Sequence, residues 1–189
     1  MNLKVLLLVA FACYALTTTA TQPSKKHGHV ISKKEPTPVD FTLTDTSGKP
    51  VSIHDFAGKF VVISMGASWC GPCLTEVEPT KQMQKYISKN KLDKDVVWVF
   101  VNFDKDSAEW VKSRHKENLN GVHLWGRPNK ENLKKQFAFN SLPYYIWINK
   151  DGTLAKKDGP RPSEPAAKHH LKSFLKHADD KRVSFLGIL

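Results

Sequence analysis

Hydrophobic and polar residues alternate along the first folded part of the chain. In VDFTLTDTSGKPVSI (39–53) the alternation runs on both sides of the polar segment DTSGKP, which predicts a β-hairpin. Two later segments, FVVISMGA (60–67) and DVVWVFVNF (95–103), are apolar at nearly every position. Short β-branched runs of this kind are typical of buried strands. We therefore expect a hairpin followed by two central strands of a sheet.

Three segments have the pattern of helices. The first follows the WCGPC motif and is predicted to end at about Asn90. Its positions at helical spacing are Pro79, Met83, Tyr86 and Ile87. The segment DSAEWVKSRHKENL (106–119) opens with an acidic N-cap residue, and NKENLKKQFAF (129–139) predicts a shorter helix. The run GVHLW (121–125) between these two helices predicts a short strand.

The last part of the chain predicts a second hairpin and a closing helix. In YYIWINKDGTLAKK (144–157) a turn is expected at 150–152. The segment SEPAAKHHLKSFLKHA begins at Ser163 with a glutamate and a proline in its first turn, which predicts a helix start. Strands that alternate with helices predict an α/β sheet, to which the two hairpins add antiparallel strands. A chain of 189 residues is long enough for one such domain.

The N-terminal segment differs from the rest in composition. Residues 1–20 contain one lysine, no acidic residue and an apolar run that is too short to span a bilayer. These features predict a secretory signal peptide, removed after about Ala20. A membrane anchor and a lipoprotein signal acylated at Cys13 are the two alternatives. The polar, basic segment 21–38 predicts a linker, which leaves 39–189 as the folded domain.

Export and charge limit the partners of the protein. A signal peptide predicts an exported protein, periplasmic in a Gram-negative bacterium and otherwise secreted. The formal net charge is +11, but the lysines are spread through every segment. A nucleic-acid-binding surface would concentrate them in a patch or stripe, so we expect no nucleic-acid partner. The basic surface instead favours solubility and contact with acidic partners.

The pair Cys70 and Cys73, with C-x-x-C spacing, is the main candidate for chemistry. A structural zinc ion takes four ligands, and the sequence has neither a second cysteine pair nor suitably spaced histidines. A purely structural disulfide would close too short a loop to stabilise much. Outside the reducing cytosol, a disulfide between the two cysteines persists. We therefore expect a redox site without a metal or another cofactor.

The position of the pair favours exchange chemistry. The strand 60–67 ends just before Cys70 and a helix begins just after it, so Cys70 lies at a helix N-terminus, where the dipole favours a thiolate. Pro72 fits the first turn, because its missing N–H has no helical partner there. Cys73 follows one turn later and is placed to resolve a mixed disulfide formed at Cys70. Trp69 is expected to shield the pair and to contact the substrate.

The motif WCGPC after a β-run resembles the thioredoxin superfamily. The segments FTLTDTSGKPVSIHDFAGKFVVISMGASWCGPC (41–73) and LPYYIWINKDGTL (142–154) resemble its exported TlpA/ResA-type branch, also described as AhpC/TSA-like or redoxin. The resemblance covers about 39–178. It implies a thioredoxin fold, an α/β fold with a central mixed β-sheet flanked by helices and an N-terminal β-hairpin extension. It also implies a cis-proline, Pro143, facing the cysteines, and a backbone at Leu142 that pairs with a substrate strand.

The chain departs from the family pattern at several positions. Thioredoxins have a buried aspartate where Ser64 stands, so another base or water must accept the proton of the second cysteine. Glu76 matches a glutamate of the TlpA/ResA-type branch, and it is either a proton-transfer group or a charge on the helix surface. The usual helix proline is shifted by one residue, from Glu78 to Pro79, which bears on the position of the helix kink. Tyr144 replaces a frequent threonine beside the substrate groove.

The resemblance implies a thiol–disulfide oxidoreductase that uses the Cys70–Cys73 couple, reducing disulfides of exported proteins, with apocytochrome c as one substrate. Trp69, Gly71 and Pro72 are expected to support substrate binding. The expected partners are protein thiols and disulfides and an upstream membrane electron donor. We expect a monomer.

Other functions stay open at this point. A disulfide oxidant or isomerase is the first alternative, because potentials of such couples range from about −270 mV to about −120 mV. A peroxidase would resemble peroxiredoxins, which carry a threonine where Ala67 stands and a proline where Ile63 stands. A copper-handling module of the same fold would use C-x-x-x-C spacing. A scaffold whose thiols are incidental is the last alternative.

Overall fold

A computed structural model of the chain describes residues 38–173 and residue 175. We number its elements in chain order. The strands are β1 (Thr42–Asp45), β2 (Pro50–Ser52), β3 (Phe60–Gly66), β4 (Val96–Asn102), β5 (Val122–Trp125), β6 (Tyr144–Ile148) and β7 (Leu154–Lys157). The helices are α1 (Gly71–Thr75), α2 (Val77–Lys89), α3 (Ser107–Glu117), α4 (Lys130–Phe137) and α5 (167–173).

The seven strands form one mixed sheet in the order β2-β1-β5-β4-β3-β6-β7. The central strands β5, β4 and β3 are parallel, and β6 pairs antiparallel with β3. The two hairpins occupy the two sides of this centre, as β1 pairs antiparallel with β5 and β7 with β6. The structure therefore confirms the predicted α/β fold with a mixed sheet.

Both faces of the sheet are covered, which explains the continuous apolar runs in β3 and β4. Side chains of a strand point alternately to opposite faces. In β3, Val61, Ile63 and Met65 belong to one apolar cluster, whereas Phe60 and Val62 belong to a second cluster. Helices on both faces bury these side chains, so no position of the strand is left for an exposed polar residue.

Both predicted hairpins are present. In the first, Leu43 of β1 is opposite Val51 of β2. The carboxylate of Asp45 closes the turn by accepting hydrogen bonds from Ser47 and from the backbone N–H of Lys49. The pairing of this hairpin with β5 was not part of the sequence prediction, because nothing local in a strand specifies its neighbour in the sheet.

The helix predicted after the cysteines is divided in two at Glu76, where α1 ends and α2 begins. Pro79 explains the break. It lacks the N–H that would donate to the carbonyl of Thr75 four residues earlier, and its ring would clash with that carbonyl. The second helix then continues to Lys89 with Asn90 as its C-cap residue, so its end agrees with the prediction of about Asn90.

The closing helix begins later than predicted. Ser163 was expected at its N-terminus, but residues 162–166 form turns and helical structure begins at 167. The hydroxyl and the backbone N–H of Ser163 instead both donate to Glu76, at 2.5 Å and 3.0 Å, which ties this residue to another part of the fold. A long-range contact thus overrides the local capping signal.

Several predictions lie outside the described residues. These are the signal peptide (1–20), the acylation at Cys13, the linker except Pro38, and the end of the domain beyond residue 175. Pro38 itself makes an isolated β-bridge with Thr153. Within the described part of the chain, no helix is long and apolar enough to cross a membrane.

Candidate active site

The cysteine pair lies at the carboxyl end of the central strand β3. Cys70 is the N-cap residue of α1, and its sulfur accepts a hydrogen bond from the backbone N–H of Cys73 at 3.2 Å. Pro72 occupies the first turn of the helix. The cap position of Cys70 is that predicted from sequence, although β3 ends at Gly66 and the turn 67–69 separates the strand from the helix.

The two cysteines form a disulfide, with a sulfur–sulfur distance of 2.01 Å and a Cα–Cα distance of 5.2 Å. Cys70 is 5% exposed, whereas Cys73 is partly exposed and packs against Gly66 at the end of β3. Accessibility in the disulfide form therefore does not single out Cys70 as the attacking thiol. That assignment rests on its position at the helix N-terminus.

Two exposed apolar side chains flank the pair. Trp69 is 65% exposed and Leu74 is 46% exposed, and they are the large hydrophobic residues that the described part of the chain leaves exposed. Gly71 and Pro72 between them are exposed as well. The redox pair thus lies within an apolar surface, which suits contact with another polypeptide.

An aspartate that the sequence reasoning missed anchors the loop before the pair. Asp104 follows β4 and is fully buried, and its Oδ1 accepts hydrogen bonds from the backbone N–H and the hydroxyl of Ser68, both at 3.0 Å. Its other oxygen, Oδ2, is buried without a hydrogen-bond partner. The signal was present in the sequence: an acidic residue comes directly after a buried strand, at the sheet edge where the cysteine loop begins.

Pro143 lies at the same edge of the sheet. The Leu142–Pro143 peptide bond is cis, and Pro143 is buried directly before β6. Tyr144, the first residue of β6, is opposite Met65 of β3, so the start of β6 and the end of β3 lie next to each other at one edge of the sheet. The fold therefore brings the proline segment and the cysteine loop, separated by about 70 positions in the sequence, to one end of the sheet.

Glu76 is buried, with 6% exposure, so the interpretation as a charge on the helix surface is wrong. Its Oε1 accepts a hydrogen bond from the Ser163 hydroxyl at 2.5 Å, and its Oε2 accepts one from the Ser163 backbone N–H at 3.0 Å. The backbone N–H of Glu76 also donates to the carbonyl of Cys73 at 3.1 Å. The buried carboxylate and the second cysteine line the same cavity.

A cavity of about 60 Å³ lies behind the pair and is lined by both Cys73 and Glu76. Ser64, Thr80 and Tyr145 line it as well. Burial raises the pKa of Tyr145 to about 12, although hydrogen bonds with Ser64 and Thr80 act in the opposite direction. Tyr145 is therefore uncharged at neutral pH, and Ser64 contributes a hydroxyl where thioredoxins place a carboxylate.

The far side of the same cavity is formed by His123, Arg114 and Glu117. His123 is buried and its Nε2 donates to the carbonyl of Leu119 at 2.9 Å. Burial lowers the pKa of His123, and the nearby charge of Arg114 acts in the same direction. Within the described residues, no three His, Cys, Asp or Glu side chains are grouped as they would be around a metal ion.

Comparisons with known proteins give a consistent result. The family model described as Redoxin matches residues 32–173. The chain is 31% identical over 176 residues to the thiol-disulfide oxidoreductase ResA of Bacillus cereus, covering 90% of this chain and 93% of that protein. It is 28% identical over 109 residues to tryparedoxin of Trypanosoma brucei brucei, covering 58% of this chain and 73% of that protein.

Solved structures are similar as well. The crystal structure of a proposed thiol-disulfide oxidoreductase from Bacteroides vulgatus superposes with a TM-score of 0.63 at 30% identity, covering 76% of this chain and 99% of that one. A thiol-disulfide oxidoreductase from Bacteroides fragilis superposes with a TM-score of 0.59 at 21% identity, covering 72% and 97% of the two chains, and supports the fold alone.

Proposed function

This chain belongs to the redoxin family, in the ResA/TlpA-type branch of the thioredoxin superfamily, and is a thiol–disulfide oxidoreductase. We propose that Cys70 and Cys73 are its redox couple. The observation that carries the proposal is their disulfide at the N-terminus of α1, beside the exposed Trp69. The backbone N–H of Cys73 donates to the Cys70 sulfur. A hydrogen bond of this kind stabilises a thiolate, which supports Cys70 as the attacking residue.

In the proposed reducing direction, the Cys70 thiolate attacks one sulfur of a substrate disulfide. A mixed disulfide forms, and the other substrate sulfur leaves as a thiolate. Cys73 then loses its proton and attacks the Cys70 sulfur. The Cys70–Cys73 disulfide is restored, and the second substrate sulfur leaves with the electron pair of the broken bond. Two electrons have passed from the couple to the substrate.

We propose that the proton of Cys73 passes to the Glu76 carboxylate. Both residues line the same cavity, and Ser64 offers no carboxylate in that place. A cavity of about 60 Å³ also has room for water, because one water needs roughly 10–15 Å³ of such volume. The transfer can therefore run directly or through one bridging water.

Protein substrates fit the surface around the pair. Trp69 and Leu74 offer apolar contact, and the backbone of Leu142 next to Pro143 is proposed to pair with an extended substrate segment. We propose disulfides of exported proteins as the substrates, apocytochrome c among them, and a membrane-bound donor that reduces the couple again. The predicted signal peptide supports this extracytoplasmic site of action, and we expect the protein to act there as a monomer.

The test uses reduction of insulin disulfides and the reduction potential of the couple. Cys70→Ser should abolish insulin reduction, and Cys73→Ser should accumulate a covalent mixed disulfide that is visible by mass spectrometry. The assays use the full chain with residues 1–20 retained, in which Cys13→Ser is the matched control, because it removes the third cysteine and should reduce insulin at the wild-type rate. Insulin reduction by Cys70→Ser would refute the assignment.

The potential, followed by tryptophan fluorescence in glutathione buffers, decides the direction. A value near about −270 mV supports a reductase, and a value near about −120 mV supports a disulfide oxidant or isomerase instead.

A further inference from the structure

Ser163 makes an unusual two-point contact with the buried carboxylate behind the redox pair. It lies 87 residues from Glu76 in sequence, yet its hydroxyl donates to Oε1 at 2.5 Å and its backbone N–H donates to Oε2 at 3.0 Å. Within the described residues, these are the hydrogen bonds that the Glu76 side chain accepts. One residue thus holds both oxygens of a carboxylate that is 6% exposed.

The segment that presents Ser163 is itself held in place. Gly159 is buried, and its backbone N–H donates to the carbonyl of Tyr145 at 2.8 Å. A Cβ at Gly159 would overlap the Trp147 indole, so this approach to the sheet requires glycine. Two residues before Ser163, the N–H of Arg161 donates to the carboxylate of Glu164 at 3.1 Å. The turn after β7, which carries Ser163, is therefore fixed to β6 by the hydrogen bond between Gly159 and Tyr145.

The contact fixes the orientation of the carboxylate. A glutamate side chain rotates about three bonds, and the last of these torsions is broad, so a single hydrogen bond leaves the plane of the carboxylate free. Two donors from one residue, one to each oxygen, restrict that torsion. Charge-assisted O–H···O bonds of about 2.5–2.7 Å are among the stronger hydrogen bonds in proteins. The Glu76 carboxylate is therefore held in one orientation beside the cavity that it shares with Cys73.

We propose that Ser163 is a positioning residue of the exchange reaction: it holds the Glu76 carboxylate where this group accepts the proton of Cys73 in the second, resolving step. The proposal rests on the proposed role of Glu76. It adds that the turn between β7 and α5, remote in sequence from the cysteines, sets the rate of that step. The first step, attack by Cys70, does not need Glu76 and is independent of Ser163.

The two steps can be separated with 5,5′-dithiobis(2-nitrobenzoate), a small aromatic disulfide. Attack by Cys70 releases one coloured thiolate and leaves a mixed disulfide on Cys70. Attack by Cys73 on that mixed disulfide releases the second thiolate. All variants are made in the full chain with Cys13→Ser, reduced, and mixed with one equivalent of the reagent in a stopped-flow instrument. Two phases of equal amplitude are expected from the unaltered Cys70–Cys73 pair.

Ser163→Ala should slow the second phase about tenfold and leave the first phase unchanged, because a positioned base contributes about 10²–10⁴ and this variant misplaces it without removing it. Ser163→Thr restores the hydroxyl and should restore the rate. Ser47→Ala is the matched control: it removes another serine-to-carboxylate hydrogen bond, of 2.6 Å to Asp45 in the first hairpin, and should change neither phase.

A double-mutant cycle shows whether Ser163 acts through Glu76. In the Glu76→Gln background, Ser163→Ala should have no further effect on the second phase. The proposal is overturned if Ser163→Ala has a second phase of wild-type rate. It is also overturned if Ser163→Ala slows the second phase equally with Glu76 present and with Glu76→Gln, since the substitution would then act through the fold. Should Ser163→Ala not fold, Ser163→Gly, which also keeps the backbone N–H, takes its place.

The failures of the two proposals are distinguishable. If Glu76→Gln leaves the second phase unchanged, both the proton-acceptor role of Glu76 and the role of Ser163 are wrong, while the two phases still establish the couple. If Cys70 gives no first phase, the redox couple itself is wrongly assigned.

Discussion

The loop that carries the redox pair should depend on the buried carboxylate of Asp104. Asp104→Ala removes the acceptor for the N–H and the hydroxyl of Ser68. Hydrogen bonds to a charged group contribute about 1.5–3 kcal/mol each, so the two together contribute up to about 6 kcal/mol. The substitution also removes the unpartnered Oδ2, whose burial costs about 1–3 kcal/mol. We expect a net loss of about 3 kcal/mol in the free energy of unfolding.

Two further substitutions divide this loss into its causes. Asp104→Asn keeps an acceptor oxygen in place of Oδ1 and removes the buried charge, so it should cost about 1 kcal/mol. Ser68→Ala keeps the N–H donor and loses only the hydroxyl, and because Ser68 is half-buried it should cost about 1.5 kcal/mol, the lower end of the range for such a bond. The measurement is equilibrium unfolding in urea, with the disulfide intact in every variant. The reasoning is refuted if Asp104→Ala costs less than Ser68→Ala, or if Asp104→Asn is as damaging as Asp104→Ala.

Three other predictions concern the scaffold around the site. Gly126→Ala should lower the free energy of unfolding by about 1–3 kcal/mol, because its Cβ would overlap Val101. Gly71→Ala, whose Cβ meets nothing within 4 Å, should be nearly neutral, and equal unfolding midpoints of the two variants would contradict this. Asp106→Ala should cost about 1 kcal/mol by removing the N-cap of α3, and Asp106→Asn, which keeps the acceptor, should restore most of the stability in thermal unfolding. Because burial holds the pKa of His123 below 6.5, the imidazole binds a proton more readily in the unfolded chain than in the folded one. The contribution of neutral, buried His123 to the free energy of unfolding is therefore fully present above about pH 6.5 and is lost as the pH falls below it. His123→Gln should flatten that fall in denaturant titrations at a series of pH values, and an unchanged slope would refute the assignment.

Much of the fold was predictable because it is encoded locally. The two hairpins have alternating flanks around turn residues, and the strands β3 and β4 are recognisable as continuous apolar runs. The placement of Cys70 at a helix N-terminus also followed from sequence, since an apolar strand pattern, a C-x-x-C motif and a helical pattern succeed one another within a few residues. Even the break at Glu76 has a local cause in Pro79, whose effect on the preceding carbonyl is a property of the backbone.

The start of the closing helix shows where local signals fail. A serine followed by glutamate and proline is a strong helix-start pattern. Ser163 instead uses both of its donors on a carboxylate 87 residues away. Glu76 was likewise recognised as a candidate from its spacing after Cys70, but its burial and its partner were not visible in the sequence. Asp104 was missed altogether, because its partner Ser68 lies 36 residues away.

The amino-acid sequence by itself determined the elements, the redox motif and the family, because periodicity, turn chemistry and a short cysteine motif act over a few residues at a time. The tertiary structure decided which polar groups surround the pair. It placed Asp104 under Ser68, Glu76 beside the cavity behind Cys73, and Ser163 on Glu76. These contacts form only when strands distant in sequence become neighbours in the sheet, and no local pattern specifies which buried donor and acceptor will then meet.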